Sequence, residues 1–335
     1  MKNTMCFHIK RFRMSVIGGL LTIAIAIPVH AQEGSVRATQ VDARVIGEGL
    51  IQVTLLGVGG GPHAGERGKD ALGINYSTLV EIEDVAFLFD AGRGAAEQIA
   101  SIGKANFQKV DKLYLTHLHS DHNIGLPDLW ATAARTRLRT APMQVFGPTG
   151  TKEMAEHIEA AFEYSFRYSA RPSAPLALIG KDIQQGVVYQ QGGITVTAFD
   201  VDHTPPANPD MHDQFPALGF RVDYNDRSVV ISGDTRFSEN LIKHSEGVDV
   251  LIHEVTESEN AGHHTTRVEA AQVFNRVAPK LAVYSHILHG IEQQLTRDTR
   301  EAEYTGALLV GKDMDVITIG DEVTIMRAGD TPNGG

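Results

Sequence analysis

The stretch THLHSDHNIG, residues 116–125, sets His117, His119, Asp121 and His122 within six residues. Neutral imidazole is a good zinc ligand, and an aspartate adds charge compensation and a carboxylate able to bridge. On a tight loop, His117 and His119 can point one way while Asp121 and His122 point another. One segment could then serve two metals a few ångströms apart. Two metals need about six or seven protein ligands. His203, Asp234 and His286, each found just after an apolar run, are the candidates to complete the set. A paired site of this kind clamps the attacking and leaving oxygens of a displacement and lowers the pKa of water to about 7. A solvated histidine-rich turn would need none of this spacing.

The elements that must position these residues are short apolar runs rich in Val, Leu, Ile and Thr, which read as strands. LIQVTLLGVGG begins at Leu50, INYSTLVEIEDVAFLFDAG follows, and VDKLYLT runs straight into the histidines. The cluster is therefore expected on a loop at a strand's C-terminal end. PMQVFGP is a further strand. GGITVTAFDVDHTPP ends at His203, the hairpin LGFRVDYNDRSVVISGDT turns at Asn225 and Asp226 and ends at Asp234, VDVLIHEVT is a strand, and PKLAVYSHI ends at His286. AAEQIASIG, GTKEMAEHIEAAFEYSFRY and TTRVEAAQVFNRV read as helices, the first stopped by Gly103. In a layered sheet with helices outside, such strand ends collect along one edge.

The chain has 335 residues, and its start reads as an export leader. Lys2, Lys10, Arg11 and Arg13 precede an apolar run from Met14 to Val29, and Val29, His30 and Ala31 offer a cleavage site at the end of segment 1–31. The run is short and wrongly flanked for a stable anchor, so a periplasmic or secreted mature chain without a membrane anchor is expected. Cleavage takes four of the 30 basic residues and none of the 41 acidic ones, leaving 26 against 41, a balance of −15. The only cysteine, Cys6, leaves too, so any metal must be held by nitrogen and oxygen. The acidic balance argues against a nucleic-acid partner. Residues 32–48 read as a polar lead-in, 49–329 as a single catalytic domain, and 330–335 as a loose tail.

THLHSDH resembles the HxHxDH signature of the metallo-β-lactamase fold. The likeness runs through TLLGVGGGP, FDAGRG, VDH at 201–203, SGDT at 232–235 and YSHI at 284–287. It implies an α/β fold, a four-layer αββα sandwich. It also implies two zinc ions per chain, one held by His117, His119 and His203 and a second by Asp121, His122 and His286, with Asp234 bridging. Aspartate at 234 excludes the subgroups that place cysteine there. Asp121 counts among the catalytic residues as well as the ligands.

Within the fold the chain is similar to ribonuclease Z and to a secreted arylsulfatase-like group, both of which share HEVT at 253–256 and a His-Thr turn, here AGHHTT at 261–266. The likeness implies that His263 contacts the scissile group opposite the metals and that Glu254 orients it. A slip of one residue would exchange His263 and His264. A protonated imidazole can protonate a leaving oxygen, and a carboxylate keeps it charged and aimed.

Three features favour the arylsulfatase-like branch: apparent export, the acidic balance, and the short gap between His203 and Asp234. Ribonuclease Z commonly inserts a long basic, glycine-rich arm in that gap. Once the hairpin strands are taken out, TPPANPDMHDQ is what remains. The branch also shares STLVE at 77–81, LTHLHSDHNIGLPDLW at 115–130, RSVVISGDT at 227–235 and PKLAVYSHI at 279–287. The first expectation is therefore a zinc hydrolase that cleaves small-molecule sulfate esters by metal-bound hydroxide, without a nucleic-acid partner. A phosphodiesterase of the ribonuclease Z-like type is the alternative, a β-lactamase the third, and a periplasmic zinc-binding protein the non-enzyme reading. A homodimer is implied by the resemblance alone. Asp90 is a candidate support beneath the cluster, and the turn at Gly59, Gly60 and Gly61 a place of close backbone approach. His63 is a further residue that could touch substrate. Trp130 and the loop from Pro205 to Phe215 are candidate walls for a leaving group, although a tryptophan such as Trp130 is more often core than pocket.

Overall fold

The computed structural model describes residues 46–61, 74–168, 177–205, 207, 216–255, 262–287 and 291–328. The expected leader at 1–31, most of the lead-in, His63, most of the loop from Pro205 to Phe215, and the tail at 330–335 lie outside the described residues.

Along the chain the elements are β1 (Ile51–Gly57), β2 (Ser77–Ile82), β3 (Val85–Phe89), α1 (Ala95–Ile102), α2 (Asn106–Lys109) and β4 (Lys112–Tyr114). Then come α3 (Ser120–Asn123), α4 (Leu126–Thr136), β5 (Met143–Gly147), α5 (Thr151–Ala161), α6 (Glu163–Arg167), β6 (Leu178–Asp182), β7 (Gly186–Gln191) and β8 (Ile194–Val201). The last part holds β9 (Ala217–Tyr224), β10 (Arg227–Ile231), α7 (Glu239–His244), β11 (Val250–Val255), α8 (Arg267–Val277), β12 (Leu281–Ile287), α9 (Glu292–Glu301), β13 (Leu308–Val310), β14 (Val316–Ile319) and β15 (Val323–Met326).

Among the described residues the strands form two sheets, in the orders β15-β14-β1-β2-β3-β4-β5-β6 and β13-β12-β11-β10-β9-β8-β7. Side chains alternate between the two faces of a strand, so each inner strand feeds two cores. Phe87 and Phe89 of β3 join Phe220 and Ile252 in the core between the sheets. Ala86 and Leu88 face outward and pack with Ile99, Leu129 and Trp130 of the helices covering that sheet. On the other side Leu251 packs with Val273 and Phe274 of α8 and Leu295 of α9. Two sheets with helices on both outer faces make the αββα sandwich. Burial on both faces explains why these strands read as unbroken apolar runs.

Two local expectations change and a third is decided. The segment 150–168 is not one helix: it breaks at Phe162, whose backbone leaves helical geometry (φ −96°, ψ 1°) while its ring packs edge-on against Trp130. The cluster is not wholly a loop, because Asp121 and His122 sit in the single turn of α3, with His119 extended just before it (φ −64°, ψ 151°). Trp130, for which the sequence favours a core position over a wall, is fully buried against Phe162 and Phe166 in the helix-side core.

Candidate functional site

The parallel run β3-β4-β5-β6 and the parallel run β10-β11-β12-β13 end near each other, and the site is assembled from residues just beyond those ends. Such edges collect ligands because the chain must turn there. After β3, Asp90 takes a left-handed backbone (φ 58°) and sits fully buried. Its Oδ1 accepts the backbone N–H of Thr116 and its Oδ2 accepts the Thr116 hydroxyl, both at 2.8 Å. The same Oδ2 holds His122 Nδ1 at 2.8 Å, which turns Nε2 of that ring toward the cluster. Asp90 therefore supports the cluster from beneath.

His286 is aimed by a bulge. The β11–β12 pairing passes from Glu254 with Ser285 to Val255 with Ile287, so His286 is the extra residue, in a left-handed conformation (φ 47°). A bulge of this kind re-aims one side chain without moving the strand. Gly60 makes room for it: a Cβ there would stand 2.7 Å from His286 Nδ1. Next to it the backbone N–H of Gly61 donates to Asp121 Oδ2 at 2.9 Å.

His117, His119 and His203 bring their ring nitrogens into one cluster, and Asp121, His122 and His286 form another. These are the two trios that the resemblance implied. Asp234, which follows β10, stands among both: its Oδ2 lies 3.3 Å from Nε2 of His122 and of His286, and 3.8 Å from Nε2 of His117 and of His203. The donor set also fits a cation on independent grounds. Asp234 Oδ1 and Nε2 of both His117 and His122 are buried without a hydrogen-bond partner. Buried polar atoms are otherwise satisfied, and convergent nitrogen and carboxylate atoms suit zinc.

The electrostatics agree with ligation. Burial, helped by the His122 charge, holds His117 well below the ordinary imidazole range, and burial takes His203 down to about 3. Neutral rings are the form that binds metal. Burial would raise the carboxyl of Asp234, but His286, His122 and His117 outweigh it and hold the group well below the usual carboxylate range. His122 runs the other way, with Asp234 and Asp90 outweighing burial to push it up. In Asp121, burial is outweighed by His286 and His122, and its carboxyl is lowered.

The pairing expected between His263 and Glu254 falls instead to His264, whose Nδ1 lies 3.0 Å from Glu254 Oε1 and 3.1 Å from Oε2. The reason is backbone register. Glu254 Oε1 also accepts the N–H of Thr235 at 2.7 Å and of Thr265 at 3.4 Å, while Thr266 caps α8 in a capping box with Glu269. With Thr265 and Thr266 fixed, the residue immediately before them turns back onto the carboxylate. His263 acts through its main chain: its carbonyl accepts from His203 Nδ1 at 2.8 Å and so directs His203 Nε2 inward. Burial lowers His264, but the Glu254 carboxylate and its hydrogen bond outweigh that and push it up to about 9. Its side chain is 20% exposed, so it meets solvent or substrate. Nδ1 is committed to Glu254, and Nε2 is the nitrogen left for a ligand.

Two supporting residues were not singled out from the sequence, although Thr235 closes the quoted SGDT motif. Tyr76, buried, sets its ring 5.3 Å from that of His122 and 5.7 Å from that of His286. Thr235 links the Asp234 turn to Glu254 through its backbone.

Residues 86–287 match the family described as the beta-lactamase superfamily domain. A ribonuclease Z of Mycobacterium sp. (strain KMS) is 32% identical over 300 residues, covering 84% of this chain and 100% of that protein. The ribonuclease Z of Mycobacterium bovis (strain BCG / Pasteur 1173P2) is 28% identical over 291 residues, 81% of this chain and 99% of the relative. Among solved structures, the metallo-β-lactamase fold protein YhfI of Bacillus subtilis shares the fold with TM-score 0.63 at 19% identity, over 80% of this chain and 99% of its own. The short form of human tRNase Z does so with TM-score 0.59 at 22% identity, over 79% of this chain and 98% of its own.

These relatives overturn two expectations. Sulfate-ester cleavage, placed first, gives way to the phosphodiester alternative, because the similar proteins are ribonucleases. A small-molecule substrate with no nucleic-acid partner gives way for the same reason. The acidic balance misled because a charge summed over the chain does not fix the field at the site, where divalent ions, when bound, would be the largest local charges. The short gap after His203 misled as well, since the match spans the full length of the relative despite it. The chain belongs to the metallo-β-lactamase superfamily of metal-dependent hydrolases and, within it, to the ribonuclease Z-like family.

Proposed function

We propose that this protein hydrolyses phosphodiester bonds in RNA at a centre holding two zinc ions. The observation that carries the reading is the 32% identity to a ribonuclease Z across that protein's whole length. His117, His119 and His203 would hold one ion, Asp121, His122 and His286 the other, and Asp234 would stand between them. When bound, the ions supply Lewis acidity toward a phosphoryl oxygen and lower the pKa of water.

The chain's own residues do the rest. Asp90 and the His263 carbonyl hold His122 and His203 in the tautomer and direction that ligation needs. His264 carries a proton at neutral pH because Glu254 faces it, and it offers that proton to the departing oxygen as the bond to phosphorus breaks. Glu254 then stabilises and re-aims the imidazole for the next cycle. The leader read at 1–31 belongs to the same proposal: an exported nuclease meets RNA outside the cytoplasm, and a mature chain beginning at Gln32 on N-terminal sequencing would support it.

The test is kcat/KM of the zinc-loaded protein on a structured RNA, a nitrophenyl phosphodiester and the matched nitrophenyl monosulfate. RNA and the diester should be cleaved. A preference for the monosulfate, or no RNA cleavage, would overturn the reading.

A further inference from the structure

A cavity of about 340 Å³ opens beside the first ligand trio, with His117, His119 and His203 on its walls. We propose that it seats a nucleobase of the RNA next to the scissile phosphate, an inference that rests on the phosphodiesterase reading above. Its volume is at the small end of the range for small-molecule sites, about 300–1,000 Å³, which suits one ring system.

The remaining walls are Leu118, Pro148, Thr149, Thr204, Pro205 and Pro216. Among the described residues that line it there is no lysine, arginine, aspartate or glutamate. A phosphate belongs at the wall formed by His117, His119 and His203, where a zinc ion would meet it, because the other walls offer no cation or donor fork. A flat neutral ring behaves differently. Its faces lose little on leaving water and gain apolar contact with proline and leucine. Its edge needs a few hydrogen-bonding groups, and Thr149 and Thr204 supply hydroxyls. The backbone N–H of Thr204 is held by Asp202 Oδ1 at 3.0 Å, which fixes that wall.

The Thr149 hydroxyl can donate or accept, and that of Thr204, which hydrogen-bonds to Asp202, keeps lone pairs to accept, so the cavity meets purine and pyrimidine edges alike. It therefore binds a base without choosing which. His264 and Glu254 are not among the walls, so this is a subsite apart from the proton donor.

The experiment is calorimetric binding of adenosine 5′-monophosphate, uridine 5′-monophosphate and ribose 5-phosphate to the zinc-loaded protein. Both nucleotides should bind at least roughly tenfold tighter than ribose 5-phosphate, the scale of stacking one base. Thr149→Trp, at an exposed position that tolerates a larger side chain, should fill the cavity and erase that advantage. Equal affinities in the wild type, or an advantage that survives in Thr149→Trp at unchanged zinc content, would overturn the proposal. Turnover of the nitrophenyl phosphodiester by the same preparation separates the two levels. Turnover with equal affinities sinks only the base cavity, whereas no turnover sinks the phosphodiesterase reading and the cavity assignment with it.

Discussion

A single oxygen of Asp234 lies within 3.8 Å of nitrogens from His117, His122, His203, His264 and His286. It links both ligand trios to the Glu254–His264 pair. Asp234→Asn keeps the shape but removes the charge, and is expected to lower zinc content and reduce diester turnover to background; metal analysis beside an assay checks both. His264→Ala should leave zinc content intact and lower kcat by roughly 10²–10⁴, the usual range for a lost general acid, whereas His263→Ala should change it far less. The pH profile gives a second handle. As an acid, His264 loses effectiveness as pH rises through its pKa, pushed up to about 9 by the carboxylate facing it. Glu254→Gln removes that support, so the alkaline limb of kcat/KM should move to lower pH. An unmoved limb would mean another group donates the proton.

At the level of elements, the strands that end in ligands were legible because their apolar runs stop at a polar residue. His203 after β8, Asp234 after β10 and His286 at the end of β12 all came from that pattern. The pairing partner of Glu254 was not legible, because neighbouring histidines differ only in which way the backbone turns them. The cap of α8 and two hydrogen bonds to one carboxylate decide that, and neither leaves a spacing. Gly60 was legible as a place of close approach, though not what approaches. A Cβ there would meet the His286 ring at 2.7 and 2.8 Å and the His286 carbonyl at 2.8 Å. Gly60→Ala should therefore displace His286 and weaken zinc binding by about 10–100-fold, the range for disturbed support of a ligand. A competitive zinc titration measures it, and an unchanged affinity would show that the ring can give way freely.

Across the whole molecule, the layered fold could be read from the sequence because buried strands and outer helices have different periods. The substrate could not, since it depends on local charge and shape at one edge. The core between the sheets carries the largest share of the aromatic packing around the cluster strands: Phe220 is fully buried, 5.2 Å from the ring of Phe89 and 5.6 Å from that of Tyr114. Phe220→Ala should cost about 3–5 kcal/mol, read as a lower denaturation midpoint at unchanged slope. The hydrophobic part of that core contact is non-directional. The ligands do have direction. His117, His119, Asp121 and His122 follow β4 of one sheet, while His203, Asp234 and His286 belong to the other. A cation caught between them would work as a clasp that holds the two halves of the sandwich in register. Because only the folded chain would bring these ligands together, free zinc at a hundred times its dissociation constant would add about 2.7 kcal/mol to the fold. A chelator is therefore expected to lower the denaturation midpoint of this protein together with its turnover.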